Sequence, residues 1–439
     1  MRKLLKTTLL LIVCFAIVLL TPTALAQDTL PADTAPADVP AALTTTQAAG
    51  DATAHDDGHG HDPFVPPLFM TAPFVLLLLA IALLPLIPAT AHWWHKNRNK
   101  FIVAVILGVL TLLYYQFRGV GVVHGEHLTE PGTPTVLSVL HHAILAEYIP
   151  FIILLFSLYT ISGGIVVRGD LRATPLTNAT FLGMGALAAS FVGTTGASML
   201  LIRPLLQTNR ERKRVAHTVV FFIFLVSNIG GCLLPIGDPP LFLGYLRGVP
   251  FWWTANLWKE WLFCCVALLV IYYIWDTWAY SKEQPLEKTL DQRMIEPLRI
   301  EGALNFVWLA GVVAAVALVV PGKSVFGLFE AKEYYREAIM LALVGLAWAT
   351  TPAENRKRNE FDFGAILEVA ALFIGIFVTM QVPLEILSVK GPALGLTSPS
   401  QFFWATGTLS SFLDNAPTYV VFFQTANSMT HAAGPGILQ

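Results

Sequence analysis

Two aspartates stand in stretches otherwise too apolar to face water. Asp238 lies within residues 227–246 (SNIGGCLLPIGDPPLFLGYL) and Asp414 within residues 410–423 (SSFLDNAPTYVVFF). A carboxylate at membrane depth is expensive and is usually kept for an ion or proton pathway. Desolvation disfavours its bare charged form, so a proton and a hard cation such as Na+ would compete for it. The alternative for each is a helix-capping aspartate beside a break in the backbone. Around Asp238, Gly230, Gly231 and Gly237 are interspersed with Pro235, Pro239 and Pro240. Proline removes a backbone donor and clashes with the preceding turn, so no helix runs through Pro-Ile-Gly-Asp-Pro-Pro. The carbonyls freed there, with the side-chain oxygens of Ser227, Asn228, Thr194 and Thr195, form the kind of oxygen set that a hard cation takes. Glu147 and Glu368 sit near span entrances, where solvation or a salt bridge explains them as well as proton transfer does.

Other polar clusters carry less chemistry. His124-Gly125-Glu126-His127 lacks the histidine spacing of an HExxH zinc site and reads as a solvated loop. His141-His142 reads as interfacial. Trp252, Trp253, Trp258 and Trp261 read as anchors at a bilayer surface. His55, His59 and His61 alternate with Asp56, Asp57 and Asp62, a pattern open to weak metal capture or to a plain solvated tail. The four cysteines, Cys14, Cys232, Cys264 and Cys265, all lie in apolar segments and outline neither a disulfide framework nor a zinc knuckle.

The elements that position these residues must be membrane helices. Of 439 residues, 55% are hydrophobic and 13% charged, with a mean hydropathy of +0.62. Soluble domains carry about 25% charged residues, so this chain cannot coat a water-facing surface. Residues 67–91, 101–117, 139–166 and 215–235 are each close to the roughly 20 residues that cross a bilayer as a helix. An all-α polytopic membrane protein follows, and nucleic-acid binding and soluble redox chemistry are excluded. An intramembrane hydrolase would need a His–Ser, His–metal or paired-aspartate constellation, and none stands out, so neither catalysis nor a cofactor is expected.

The N-terminus has the basic, apolar, A-x-A order of a secretory signal peptide over residues 1–26. Residues 27–66, rich in Ala, Thr, Asp and Pro and free of Lys and Arg, read as a disordered extracytoplasmic tail. Basic residues favour the cytoplasmic side. The loops at 92–100, 167–175, 208–214, 281–299 and 353–361 hold 3, 2, 4, 4 and 3 of them, against 1, 1, 3 and 1 at 118–138, 247–257, 321–336 and 389–398. This alternation works only if residues 175–207 enter and leave on one side, as a re-entrant hairpin of two helices of about 15 residues, about 22 Å each. Thr174-Pro175 would start it and the run Ser190-Phe191-Val192-Gly193-Thr194-Thr195-Gly196 would form its tip.

Sliding the chain against itself by 221 residues pairs Glu147 with Glu368, Phe181 with Phe402, Ser190 with Ser411 and Phe191 with Phe412. The second copy would run in the opposite sense, with a hairpin at 399–425 that starts at Ser398-Pro399 and opens outward. An N-terminal half at 67–300 and a C-terminal half at 301–439, of opposite topology and each interrupted at mid-membrane, are the pattern of a secondary transporter.

The motifs SNIGGCLLPIGDPPLFLGYL and SSFLDNAPTYVVFF resemble those of bacterial sodium/proton antiporters and citrate carriers of the ion transporter superfamily, over roughly residues 67–439. The resemblance implies two inverted repeats, each with a re-entrant hairpin and a broken helix, Na+ sites at the hairpin tips, an elevator-type motion and commonly a homodimer. Carried onto this chain, it places ion and substrate contacts at Ser190, Thr194, Thr195, Ser227, Asn228, Gly230, Asp238, Ser411, Asp414, Asn415 and Thr418. Na+ would be held through Thr194, Thr195, Asn228, Asp414 and Asn415. The family's Ser-Asn-Thr style tip is replaced here by Gly193-Thr194-Thr195 and by Asp414-Asn415-Ala416-Pro417-Thr418. An acidic tip fits a cation or proton carrier better than a carboxylate carrier. The expectation is a multi-pass sodium:proton antiporter of the bacterial inner membrane, with a sodium-coupled citrate or dicarboxylate symporter as the alternative. A second broken helix would fall beyond Gln439 by the same offset, so the chain is expected to be a truncated reading of a longer protein. Its second hairpin is then expected to be under-packed on one side, with tip atoms lacking partners.

Overall fold

Apolar runs set the helices and prolines set where they bend. The computed structural model describes residues 64–124, 127–284, 296–325 and 329–433. The signal peptide, the tail to residue 63 with its histidines, Gly125-Glu126 and the segment after residue 433 lie outside the described residues. Helix α1 (Ala72–Leu83) and α2 (Pro88–Trp94) meet at 102°, so the stretch read as one span at 67–91 is a corner. Pro88 can only begin a helix here, and the Thr90 hydroxyl donates to the Leu84 carbonyl at 2.8 Å across the turn. Helix α3 is Asn97–Phe117 and α4 is Thr133–Ser162, with a π-helical stretch at His141–Tyr148.

Helices α5 (Pro175–Val192) and α6 (Thr194–Thr208) follow, then α7 (Ala216–Leu225), α8 (Pro239–Leu246) and α9 (Trp258–Ser281). The remainder is α10 (Leu304–Leu318), α11 (Tyr335–Thr350), the short α12 (Ala353–Arg358), α13 (Gly364–Thr379), α14 (Gln381–Lys390), α15 (Pro399–Ser410) and α16 (Asn415–Ala433). Strand β1 (Val166–Asp170) pairs antiparallel with β2 (Glu296–Glu301), with Val166 opposite Glu301. By length and composition five described helices can cross a bilayer, or up to seven if each bent pair counts as one. The protein is an all-α polytopic membrane protein.

Polar contacts gather at two ends. At the end rich in basic loops, β1 joins β2, Asn359 donates to the Gly163 and Ile165 carbonyls, Arg203 reaches Glu360 at 2.9 Å, and Lys100 pairs with Glu368 at 2.6 Å. At the other end Arg118, just past α3, pairs with Glu385 of α14 at 2.8 Å, and Glu147 of α4 pairs with Arg247 beyond α8. Between them lies the apolar core. There Phe151 of α4 stacks on Phe373 of α13 at 4.9 Å and meets Phe377 edge-on at 5.5 Å. In lipid such packing stabilises by close contact, because burying apolar surface gains little over the acyl chains.

Candidate functional site

The first hairpin is α5 and α6, joined through the single residue Gly193. Thr174 caps α5 by accepting the Thr177 amide at 3.2 Å, and Pro175 opens its first turn. The two limbs are closed at their base by reciprocal bonds, from Asn178 to Asn209 at 2.8 Å and back at 2.9 Å. The tip is narrower than the Ser190–Gly196 run suggested, and α5, at 18 residues, spans about 27 Å. Gly193 has φ +79° and ψ 150°, a conformation that an L side chain rarely adopts.

The tip docks on the broken backbone between α7 and α8. The Ser190 hydroxyl donates to the Gly230 carbonyl at 2.5 Å, the Thr194 amide to the Gly237 carbonyl at 2.8 Å, and Ser198 and Ser227 share a bond of 2.8 Å. Gly231 and Gly237 lie so close that a Cβ on Gly237 would collide with the Gly231 carbonyl. Trp261 donates to the Ile229 carbonyl at 3.0 Å and Thr254 to the Leu233 carbonyl at 2.9 Å. Carbonyls that the break takes out of the helical ladder therefore already accept bonds from protein donors.

Asp238 occupies the N-cap position of α8, yet its side chain caps nothing. The next two residues are Pro239 and Pro240, which have no N–H to offer. Among the described residues no group donates a hydrogen bond to its carboxylate. Asp414 differs. Its carboxylate accepts the Ala416 amide at 3.0 Å, and the Thr418 hydroxyl donates to the Asp414 carbonyl at 2.8 Å. It caps α16 and keeps a second oxygen over. At the same tip the Ser410 hydroxyl donates to Asn415 at 2.5 Å and that of Ser411 to the Gly407 carbonyl at 2.7 Å.

These elements line an open-sided cavity of about 220 Å³, below the roughly 300–1,000 Å³ typical of pockets for drug-sized ligands. Thr195 reaches it from the first tip, Asp238 from the break, and Asp414 and Asn415 from the second tip, against Phe151 and Tyr159 of α4 and Phe373 of α13. Asp238 and Asp414 both line it. Two like charges on one small cavity favour a shared proton or a bound cation. Among the described residues no Lys or Arg lines it.

Of the residues expected at the site, the cavity brings together Thr195, Asp238, Asp414 and Asn415. Ser190 and Gly230 bond each other behind it, Thr194 docks through its amide, and Ser227 is engaged by Ser198. Asn228 is exposed and away from the cavity wall, while Ser411 and Thr418 bond their own helices. Glu147 and Glu368 both stand in ion pairs, with Arg247 and Lys100.

The sequence reading passed over Asp276. It is fully buried in α9 and holds Arg212 at 2.5 Å and His217 at 2.8 Å, with Asn178 of the hairpin base at 3.4 Å. A lone carboxylate in an otherwise apolar stretch of α9 was the available signal.

Residues 65–435 match the family described as "Putative citrate transport". No curated protein matches the chain. With bilayer-length apolar helices and a match over most of its length, the chain belongs to this citrate-transport family and is a multi-pass membrane transporter.

Proposed function

We propose that the protein is a secondary transporter exchanging Na+ for H+, with Asp238 and Asp414 as the groups that bind the two cations in turn. The observation that carries this reading is the cavity wall, where two carboxylates, Asn415 and Thr195 face one small space that no cationic side chain enters among the described residues. Helix N-termini could instead have welcomed an anion. At α8 and α16 they offer little, since Pro239 and Pro240 bring no N–H to the start of α8 and Asp414 takes the Ala416 amide of α16. The basic end is read as cytoplasmic, in a bacterial inner membrane, and the two hairpins as halves of an inverted pair.

The second reading is sodium-coupled uptake of citrate or a dicarboxylate, which the family description favours. Both are tested in liposomes holding the purified protein under an imposed Na+ gradient, with internal pH and labelled citrate followed separately. Exchange predicts pH change without citrate and no accumulation of label. Na+-dependent citrate accumulation, with internal pH unmoved when citrate is absent, overturns it in favour of the second reading.

A further inference from the structure

We propose that a pocket at the basic end, between the end of α11 and the short helix α12, binds the phosphate of an anionic phospholipid headgroup. The pocket is a space of about 330 Å³ whose walls include Trp348, Thr351, Arg356, Lys357, Phe361 and Phe363. It is separate from the cavity that holds Asp238 and Asp414, and shares no lining residue with it.

Arg356 makes the case. Among the described residues the other cations with buried side chains stand against carboxylates, Lys100 against Glu368, Arg118 against Glu385, Arg212 against Asp276 and Arg336 against Glu337. Arg356 is 8% exposed and has no carboxylate partner among the described residues. A buried charge without a counter-charge is costly. The nearby acids are committed elsewhere, Glu354 to Arg358, Glu360 to Arg203, and Asp362 to the Gly364 amide. Arg356 is instead held by the carbonyls that end α11, donating to Ala347 at 3.2 Å and Thr351 at 3.4 Å, with its guanidinium 4.0 Å from the Trp348 ring. Its Nε is buried and without a partner. A planar donor group with a spare N–H and a second cation beside it in Lys357 suit a phosphate oxygen.

The setting identifies the source of that phosphate. Trp348, 47% exposed, lies in the last turn of α11 and stacks on Phe363 at 6.0 Å, an arrangement that aromatic residues take at headgroup level. Asn355 and Asn359 fasten the inner face of α12 to the Gly164, Gly163 and Ile165 carbonyls. That leaves Lys357 at the exposed face. Basic pockets between helices on this side of a membrane receive acidic headgroups.

The test uses the full-length protein in phosphatidylcholine nanodiscs, with retained lipid counted by native mass spectrometry as phosphatidylglycerol or cardiolipin is titrated in. Preferential retention of the anionic lipid is expected, and Lys357→Gln should weaken it roughly fivefold, the effect of about one surface cation. Arg356→Gln should abolish the preference. If that variant fails to fold, Lys357→Gln still decides. Arg172→Gln, an exposed basic-end charge outside the pocket, should leave retention unchanged. An equal loss in Arg172→Gln and Lys357→Gln would mean diffuse surface attraction and would overturn the proposal. So would thermal stabilisation by inorganic phosphate alone that matches stabilisation by the lipid, which would make the ligand a soluble phosphate.

Discussion

The two hairpins deliver polar atoms to the same cavity and are built in opposite ways. In the first, both limbs have a buried face, from Asn178 and Ala186 in α5 to Ala197 and Leu205 in α6, and the tip bonds to the neighbouring broken helix. Its base is fixed by the Asn178–Asn209 pair and by Arg212 and Asp276. In the second, α15 has no buried residue, and Phe403 and Trp404 are 70% and 69% exposed. Only the inner limb α16 is packed, through Val420, Thr425 and Tyr419, the last against Gly244. Its tip bonds are internal, Ser410 to Asn415 and Asp414 to Ala416. One-sided packing with unpartnered tip atoms was expected from the sequence; Ser410, Ser411 and one Asp414 oxygen do have partners, and the second Asp414 oxygen is left over. The first tip bonds to its surroundings and the second to itself, and a tip bonded internally can shift without breaking bonds to its neighbours.

The sharpest test of the comparison is all-or-none. Single cysteines replacing Arg210 and Leu394, exposed at the two ends, in a background lacking the native thiols, should react with an impermeant reagent from opposite faces of the membrane. Reaction of both from one face would break the opposed-hairpin reading. The next largest effect falls on the first hairpin. Arg212→Gln leaves Asp276 buried without its guanidinium and should lower stability by about 3–5 kcal/mol, read as a drop in melting temperature in detergent. A melting curve like that of the parent would mean that His217 alone satisfies the carboxylate.

Asp414→Asn keeps the cap acceptor for Ala416 and removes the charge. Cation-driven exchange should be lost, because the variant removes a charged ligand that H+ and Na+ would share, with insertion and melting unchanged. Parental exchange in this variant at every pH tested would remove Asp414 from the site. The smallest effect is at the second hairpin's entry. There Ser398 and Gln401 form a reciprocal capping box, and Ser398→Ala should cost about 1 kcal/mol. A cost near that of Arg212→Gln would show that α15 is held more firmly than its exposure suggests.

What could be read in the chain was local. Thr174-Pro175 and Ser398-Pro399 start the hairpins because a hydroxyl that accepts an amide and a proline that needs none belong at a helix start. Pro239-Pro240 break the backbone for the same reason, and this is also what leaves the Asp238 carboxylate uncapped. The corner at Pro88 was missed because hydropathy reports apolar length and is blind to direction.

The site was half legible. Its carboxylates stood out because charge is rare in such segments, yet the same rarity at Asp276 and the cost of an unpaired Arg356 were passed over. Sequence by itself determined the class of molecule, the breaks and the caps, since these follow from hydrogen bonds and apolar lengths within a few residues of one another. The tertiary structure alone decided which oxygens meet. Asp238, Asp414, Asn415 and Thr195 come from three separate elements, and Ser190, Ser227 and Gly230 turn away from the cavity to bond their neighbours. Such choices depend on which donors and acceptors packing brings within 3 Å, and a linear pattern of residue types does not contain that distance.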